Sequence, residues 1–101
     1  MSKFSMVGTF NCLEGRNDEM DAALAAQVAA VADEDDAEVY SYHRGEGTSY
    51  AYFAIFCGPE AMQRVSQTEA MQVAMAQFGG LLDGSPEMMM GSPLSTNGLD
   101  L

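Results

Sequence analysis

The residues of this 101-residue chain best suited to chemistry crowd into one stretch. His43 is the only histidine, and it stands in Tyr40-Ser41-Tyr42-His43-Arg44, just ahead of Tyr50-Ala51-Tyr52-Phe53-Ala54-Ile55-Phe56. An imidazole titrates near neutrality and can take a proton from a bound group, which makes His43 the candidate catalytic base. If Arg44 pairs with Ser49 across the intervening turn, His43 faces Tyr50, Ser41 faces Tyr52 and Val39 faces Ala54, with Phe56 on the same side. Ser41, Tyr50, Tyr52 and Phe56 would then wall an apolar, aromatic pocket for a flat substrate. The plainer reading makes His43 an edge residue near a turn and the tyrosines core. In this register Tyr40, Tyr42 and Arg44 share the opposite face with Ala51, Phe53, Ile55 and Cys57. Arg44 could bind a carboxylate or offset local acids. The methionines at 62, 71, 75 and 88–90 fill a core or suit an adaptable pocket.

The elements that must position these side chains follow from periodicity. Residues 4–12 are rich in β-formers and stop before Gly15, giving a first strand. Met20, Leu24, Val28 and Val31 make one apolar stripe, so a helix follows, with Asn17 or Asp18 as its cap. Asp33-Glu34-Asp35-Asp36 ends it as a solvated turn. Strands over 37–44 and 49–57 form a hairpin. Gly58-Pro59-Glu60 starts a second helix, and Thr68 offers a cap that splits it in two. Met71, Met75 and Phe78 continue its stripe until Gly79-Gly80. Residues 86–91 read as a last strand, and a polar tail begins at about 92.

The order β-α-β-β-α-β in one domain spanning 1–101 predicts an α+β, ferredoxin-like fold with a four-stranded antiparallel sheet. In this layout the first and third strands are expected to be neighbours running parallel, which would bring Cys12 and Cys57 to one edge as free thiols. Each helix has a single apolar stripe, so the helices cover one face of the sheet. The strands are apolar on both faces. A homodimer that buries sheet against sheet removes the exposed patch.

Composition narrows the function. Four basic against fifteen acidic residues give a net charge of −11. Binding to nucleic acid or to an anionic membrane surface needs Lys and Arg to neutralise phosphate, so neither is expected as a partner. No run of the sequence approaches the ~20 apolar residues that span a bilayer, and no targeting segment is visible at the N-terminus. A cytoplasmic protein is the expectation. The two cysteines form no CxxC pair and have no metal-ligand spacing. No nucleophile triad, phosphate-cradling glycine loop, or flavin or nicotinamide fingerprint is present, so no metal and no cofactor is expected.

Gly15 after the first strand, Glu34 before the second, Tyr40 within it and Glu60-Ala61 opening the second helix together resemble the antibiotic biosynthesis monooxygenase family. The resemblance runs from about Phe4 to Pro93. It implies a dimeric α+β barrel with helices outside and a small-molecule pocket between sheet and helices. It also implies cofactor-independent oxygenation of quinols or polyketide anthrones, or haem degradation. A cofactor-free oxygenase must first remove a proton from a phenol or enol, the role that would fall to His43. The departures are specific. Where the family often has Glu and Trp on the third strand, this chain has Ala54 and Phe56; where it has a pocket-facing His on the second helix, this chain has Val65; where the haem-degrading branch has Asn, this chain has Gly8. These argue against haem degradation. Two functions follow as expectations: a monooxygenase for a small aromatic or quinol-like substrate, or a non-catalytic homodimer that binds a small apolar ligand or supports another protein.

Overall fold

The computed structural model describes residues 3–94 and Asn97. Its elements run β1 (Phe4–Asn11), α1 (Asn17–Ala30), β2 (Ala37–Arg44), β3 (Ser49–Phe56), α2 (Pro59–Ser66), α3 (Glu69–Gly79) and β4 (Glu87–Gly91). The sheet has the order β2-β3-β1-β4, with every neighbouring pair antiparallel. This is the ferredoxin-like α+β arrangement expected. The tail expected from about 92 lies, beyond Leu94 and apart from Asn97, outside the described residues.

The expected parallel pairing of the first and third strands is corrected. Helix α1 returns the chain so that β2 runs in the direction of β1, and the hairpin then reverses β3. Phe4 therefore pairs with Phe56 and Asn11 with Ser49. Cys12 and Cys57 end up at opposite ends of the sheet, not at one edge. Both are free thiols.

The β2–β3 register is also one residue from the expected one. Arg44 pairs with Tyr50, His43 with Ala51, Tyr42 with Tyr52, Ser41 with Phe53 and Tyr40 with Ala54. The turn explains the slip. Gly45 N–H donates to Ser49 O at 2.8 Å, and Ser49 N–H donates to Glu46 O at 3.1 Å. This leaves a loop of Glu46, Gly47 and Thr48, in which Gly47 takes φ 60°. A three-residue hairpin loop needs a left-handed residue at such a point, and glycine adopts it without strain. One residue of slip moves a whole strand's side chains to the other face.

The helices cover the face that carries Phe10, Tyr50, Tyr52, Ala54 and Phe56, all buried. Against these α1 sets Met20, Ala23, Leu24 and Gln27. Val28, expected in the stripe, is 40% exposed, and Gln27 takes the inward position instead. The N-terminus of α1 has no side-chain cap. Asn17 Nδ2 reaches away to Gly47 O at 3.0 Å and Tyr50 Oη at 3.2 Å, while Arg16 pairs with Glu19. Pro59 opens α2 after Gly58, and Thr68 Oγ1 accepts from Met71 N–H at 3.2 Å to start α3. That cap breaks the second helical segment in two, and α2 and α3 together roof one half of the sheet. Among the described residues no helix is long and apolar enough to cross a membrane.

Candidate functional site

Under α2 and α3 the inner face of the sheet does not pack solid. A cavity of about 250 Å³ remains. Its sheet wall is Met6, Phe10, Tyr40, Tyr42, Tyr52 and Phe56, and α2 contributes Met62, Val65 and Ser66. Met71, Met75 and Phe78 of α3 close the roof, and Pro86 and Met88 stand at the β4 side. Flexible thioethers on all four sides let such a pocket adapt to its contents. The aromatic rings fix the rest. Phe10 stacks on Tyr50 at 5.3 Å and meets Phe78 edge-on at 5.0 Å. Tyr40 meets Tyr52 at 5.3 Å and Tyr42 at 5.8 Å, both near-perpendicular. Ring pairs of this kind contribute about 0.5–1.5 kcal/mol each beyond area burial.

Behind the tyrosines lies Gln27, fully buried. Its Oε1 accepts from the hydroxyls of Tyr40, at 3.1 Å, and Tyr42. Tyr40 Oη also approaches Met71 Sδ at 4.0 Å. Burial pushes the phenols of Tyr42 and Tyr52 far above the ordinary tyrosine range, and the neighbouring Tyr40 adds to the effect in both. Burial raises Tyr40 too, though hydrogen bonds from Tyr42 and Tyr52 partly oppose it. All three are therefore neutral hydrogen-bond donors near pH 7. Among the described residues the lining contains no carboxylate, imidazole or amine.

Of the residues expected at the site, Tyr52, Phe56 and Val65 line this cavity. Tyr50 is buried beside it, one ring away behind Phe10. Its hydroxyl donates to Asp21 Oδ1 at 2.6 Å, and Asp21 Oδ2 accepts from Arg44 Nη1 at 2.8 Å. Arg44 thus offsets a local acid, one of the two roles open to it. His43 and Ser41 do not join the cavity. The register carries them to the uncovered face, where Ser41 Oγ lies 3.1 Å from His43 Nε2 and donates to Phe53 O at 3.3 Å. The one-residue slip brings Tyr40 and Tyr42 inward in their place. Gln27 was visible in the sequence only as a polar residue at helical spacing, with Met20 and Leu24 before it and Val31 after it.

The other features singled out in the sequence have structural roles. Asp36, from the acidic run, pairs with Arg64, and its carbonyl accepts from Cys57 N–H at 2.9 Å. Lys3 pairs with Glu38, so each of the four basic residues contacts a carboxylate. Among the described residues no group of three or more His, Cys, Asp or Glu side chains could hold a metal ion.

No family model matches the sequence, and no curated protein matches it. Solved structures do match its fold. A provisional antibiotic biosynthesis monooxygenase from Caulobacter crescentus CB15 superposes with a TM-score of 0.86 at 18% identity, over 93% of this chain and 92% of its own. Rv0793 from Mycobacterium tuberculosis gives 0.83 at 19% identity, over 94% of this chain and 98% of its own. SnoaB, a cofactor-independent oxygenase from Streptomyces nogalater, gives 0.81 at 15% identity, over 98% of this chain and all of its own. The chain thus has the ferredoxin-like α+β fold of the antibiotic biosynthesis monooxygenase structures. At these identities the likeness is one of fold.

Proposed function

We propose that the cavity under α2 and α3 binds a small, flat, electron-rich aromatic molecule of the quinol or anthrone class and that the protein oxygenates it without a cofactor. The observation that carries this reading is an adaptable apolar cavity with a tyrosine wall, set in a fold shared with a cofactor-independent oxygenase. Pockets for drug-sized ligands span roughly 300–1,000 Å³, so about 250 Å³ suits two fused rings better than four. The chemistry balances with oxygen alone. A ring CH₂ and O₂ give C=O and H₂O, the substrate supplying all the electrons. The lining has no base, so the substrate itself must be acidic enough to release its proton to solvent. The neutral phenols of Tyr42 and Tyr52 are suited to donate to the oxygen on which charge then collects.

The sheet face away from the helices supports a homodimer. Val7, Phe53, Val39 and Met89 point there by strand alternation, and Val7 and Met89 are 43% and 69% exposed. A two-fold partner laid against this face would remove that apolar surface from water.

The missing base favours one second reading, a homodimer that binds its ligand and does not turn it over. Oxygen uptake with a panel of hydroquinones and anthrones separates the two. Uptake with an anthrone above the uncatalysed rate, one O₂ per quinone formed with no hydrogen peroxide and one ¹⁸O atom from ¹⁸O₂ in the product, supports the oxygenase. No turnover, with a bound apolar ligand, supports the binder and overturns the oxygenase.

A further inference from the structure

Gln27 has a hydrogen-bond account that does not close. Both lone pairs of Oε1 are taken by Tyr40 and Tyr42, while Nε2 is buried with no acceptor among the described residues. Leaving a buried donor unpaired costs about 1–3 kcal/mol, and an orphaned buried N–H is rarer than an under-used carbonyl oxygen. A half-turn of the amide would exchange the orphaned N–H for an unpaired carbonyl oxygen, the commoner of the two. Nε2 would then sit between the two phenol oxygens and donate one N–H to each. Tyr40 and Tyr42 would become acceptors from Gln27, and their own O–H protons would be released. Both residues line the cavity, so those protons can turn toward its contents, with Met71 Sδ at 4.0 Å the competing weak acceptor for that of Tyr40.

We propose that Gln27 is a positioning residue whose amide turns Tyr40 and Tyr42 into a pair of donors for one neutral oxygen, a ketone or quinone carbonyl, on the cavity's ligand. This rests on the reading of the cavity as a small-molecule site and names the group that the site recognises. Three further observations fit. The cavity lining carries no cation, and the chain's net charge is −11, so an anionic oxygen is disfavoured in the ground state and a neutral acceptor is not. The Tyr52 ring meets the Tyr40 ring edge-on at 5.3 Å and 72°, which backs the Tyr40 phenol from β3. The Tyr40 and Tyr42 rings are held at 73° to each other, 5.8 Å between centroids, so neither can swing out without breaking the aromatic wall.

The test compares α-tetralone with tetralin, the same bicyclic skeleton with and without a carbonyl. Binding to the full chain is read by titration and by the infrared carbonyl stretch of the bound ketone. In the wild type the stretch moves to lower wavenumber than in a hydrocarbon solvent, as two donors polarise the bond. The variant Gln27→Met/Tyr40→Phe/Tyr42→Phe replaces every member of the network by an apolar side chain of similar shape, a change that can be nearly neutral for folding. It should keep its tetralin affinity, lose the infrared shift, and lower the tetralone-to-tetralin affinity ratio about tenfold, the worth of one to two neutral hydrogen bonds. Gln27→Glu, which places only acceptors behind the phenols, should lower the ratio similarly. If both probes bind the wild type with an unshifted stretch and a ratio the variants leave unchanged, the proposal fails and the cavity reading stands. If neither probe binds, the cavity reading fails and the proposal with it.

Discussion

Tyr42 and Tyr52 stand directly opposite each other on β2 and β3, with ring centroids 4.9 Å apart. That one pairing decides what the hairpin offers to each side of the sheet. It puts Tyr40, Tyr42, Tyr52 and Phe56 together under the helices, and it sends Ser41, His43 and Phe53 to the uncovered face. Among the described lining residues the polar side chains are the three phenols and the Ser66 hydroxyl, so any chemistry in the cavity rests on these and the substrate's own acidity.

Substituting His43 tests this placement. His43→Ala is expected to leave the affinity for an apolar probe unchanged and to leave any oxygen uptake unchanged. Its stability should stay within about 0.5 kcal/mol of wild type, as for other surface changes away from special features. A loss of oxygen uptake with normal folding would show that His43 reaches a substrate after all.

Val65→Phe tests the cavity itself. Val65 is 3% exposed and lines the void from α2. Overpacking a solid core costs about 1–3 kcal/mol, but here the added ring has about 250 Å³ to enter. The variant should keep a melting temperature close to wild type and lose uptake of naphthalene, measured by titration. Undiminished naphthalene binding would place the ligand elsewhere.

Much of this arrangement was legible before any coordinates. The element order, the break at Thr68 and the two-faced apolar strands follow from periodicity and caps that act locally. Tyr52 and Phe56 share the pocket face by strand alternation, and Val65 stands where the family that the chain resembles has a pocket-facing His. The β2–β3 register was not legible, because four-residue and three-residue loops both accommodate Gly45-Glu46-Gly47-Thr48, and the choice rests on which residue adopts φ 60°. Gln27 was missed for a different reason. A lone polar residue on a helix is ordinarily solvated, and nothing near it in sequence shows that two tyrosines from a distant strand will meet it.

Gly8→Ala should be costly for a residue so small. Gly8 lies on the inner face of β1, paired with Tyr52 on one side and Met88 on the other. A Cβ there would sit 2.2 Å from Met88 Sδ and 2.7 Å from Glu87 O. The thioether can move, but the carbonyl belongs to the β1–β4 ladder, so the edge strand must shift. A loss of about 1–3 kcal/mol is expected in urea unfolding, together with weaker probe binding, since Met88 borders the cavity. A variant as stable as wild type would mean that β4 yields freely.

Alkaline pH should unfold the protein through its tyrosines. Burial first, and then the hydrogen bond to Asp21, push Tyr50 from 10.0 up to about 12. Tyr42 and Tyr52 are raised further, again mainly by burial. A phenol whose folded value is raised favours the folded state fully below its unfolded value, and this contribution is lost as pH climbs through the folded one. The tyrosine contribution to unfolding free energy should therefore be level below pH 10 and fall above it, the share of Tyr50 being lost by about 12. Tyr50→Phe should make the fall shallower. Because Asp21 is partly exposed, the variant should lose only about 1 kcal/mol at neutral pH. Urea titrations across this range measure both effects, and an unchanged slope in Tyr50→Phe would remove Tyr50 from the account.

The uncovered sheet face makes a prediction about assembly that depends on charge as well as apolar area. Val7 pairs with Phe53 on one side and Met89 on the other, so it is the centre of the apolar strip. In a two-fold dimer each substitution acts twice. Val7→Glu would place two carboxylates in a dry interface, while each of the four basic residues already contacts an acid. Sedimentation velocity should show a wild-type dimer and a Val7→Glu monomer, the dimer weakened at least tenfold, or about 1.4 kcal/mol. Each copy carries −11, so mutual repulsion opposes association at low ionic strength, and added salt should strengthen the wild-type dimer by screening it. A wild-type chain that stays monomeric at every concentration and salt level would mean that this face is not where two copies meet.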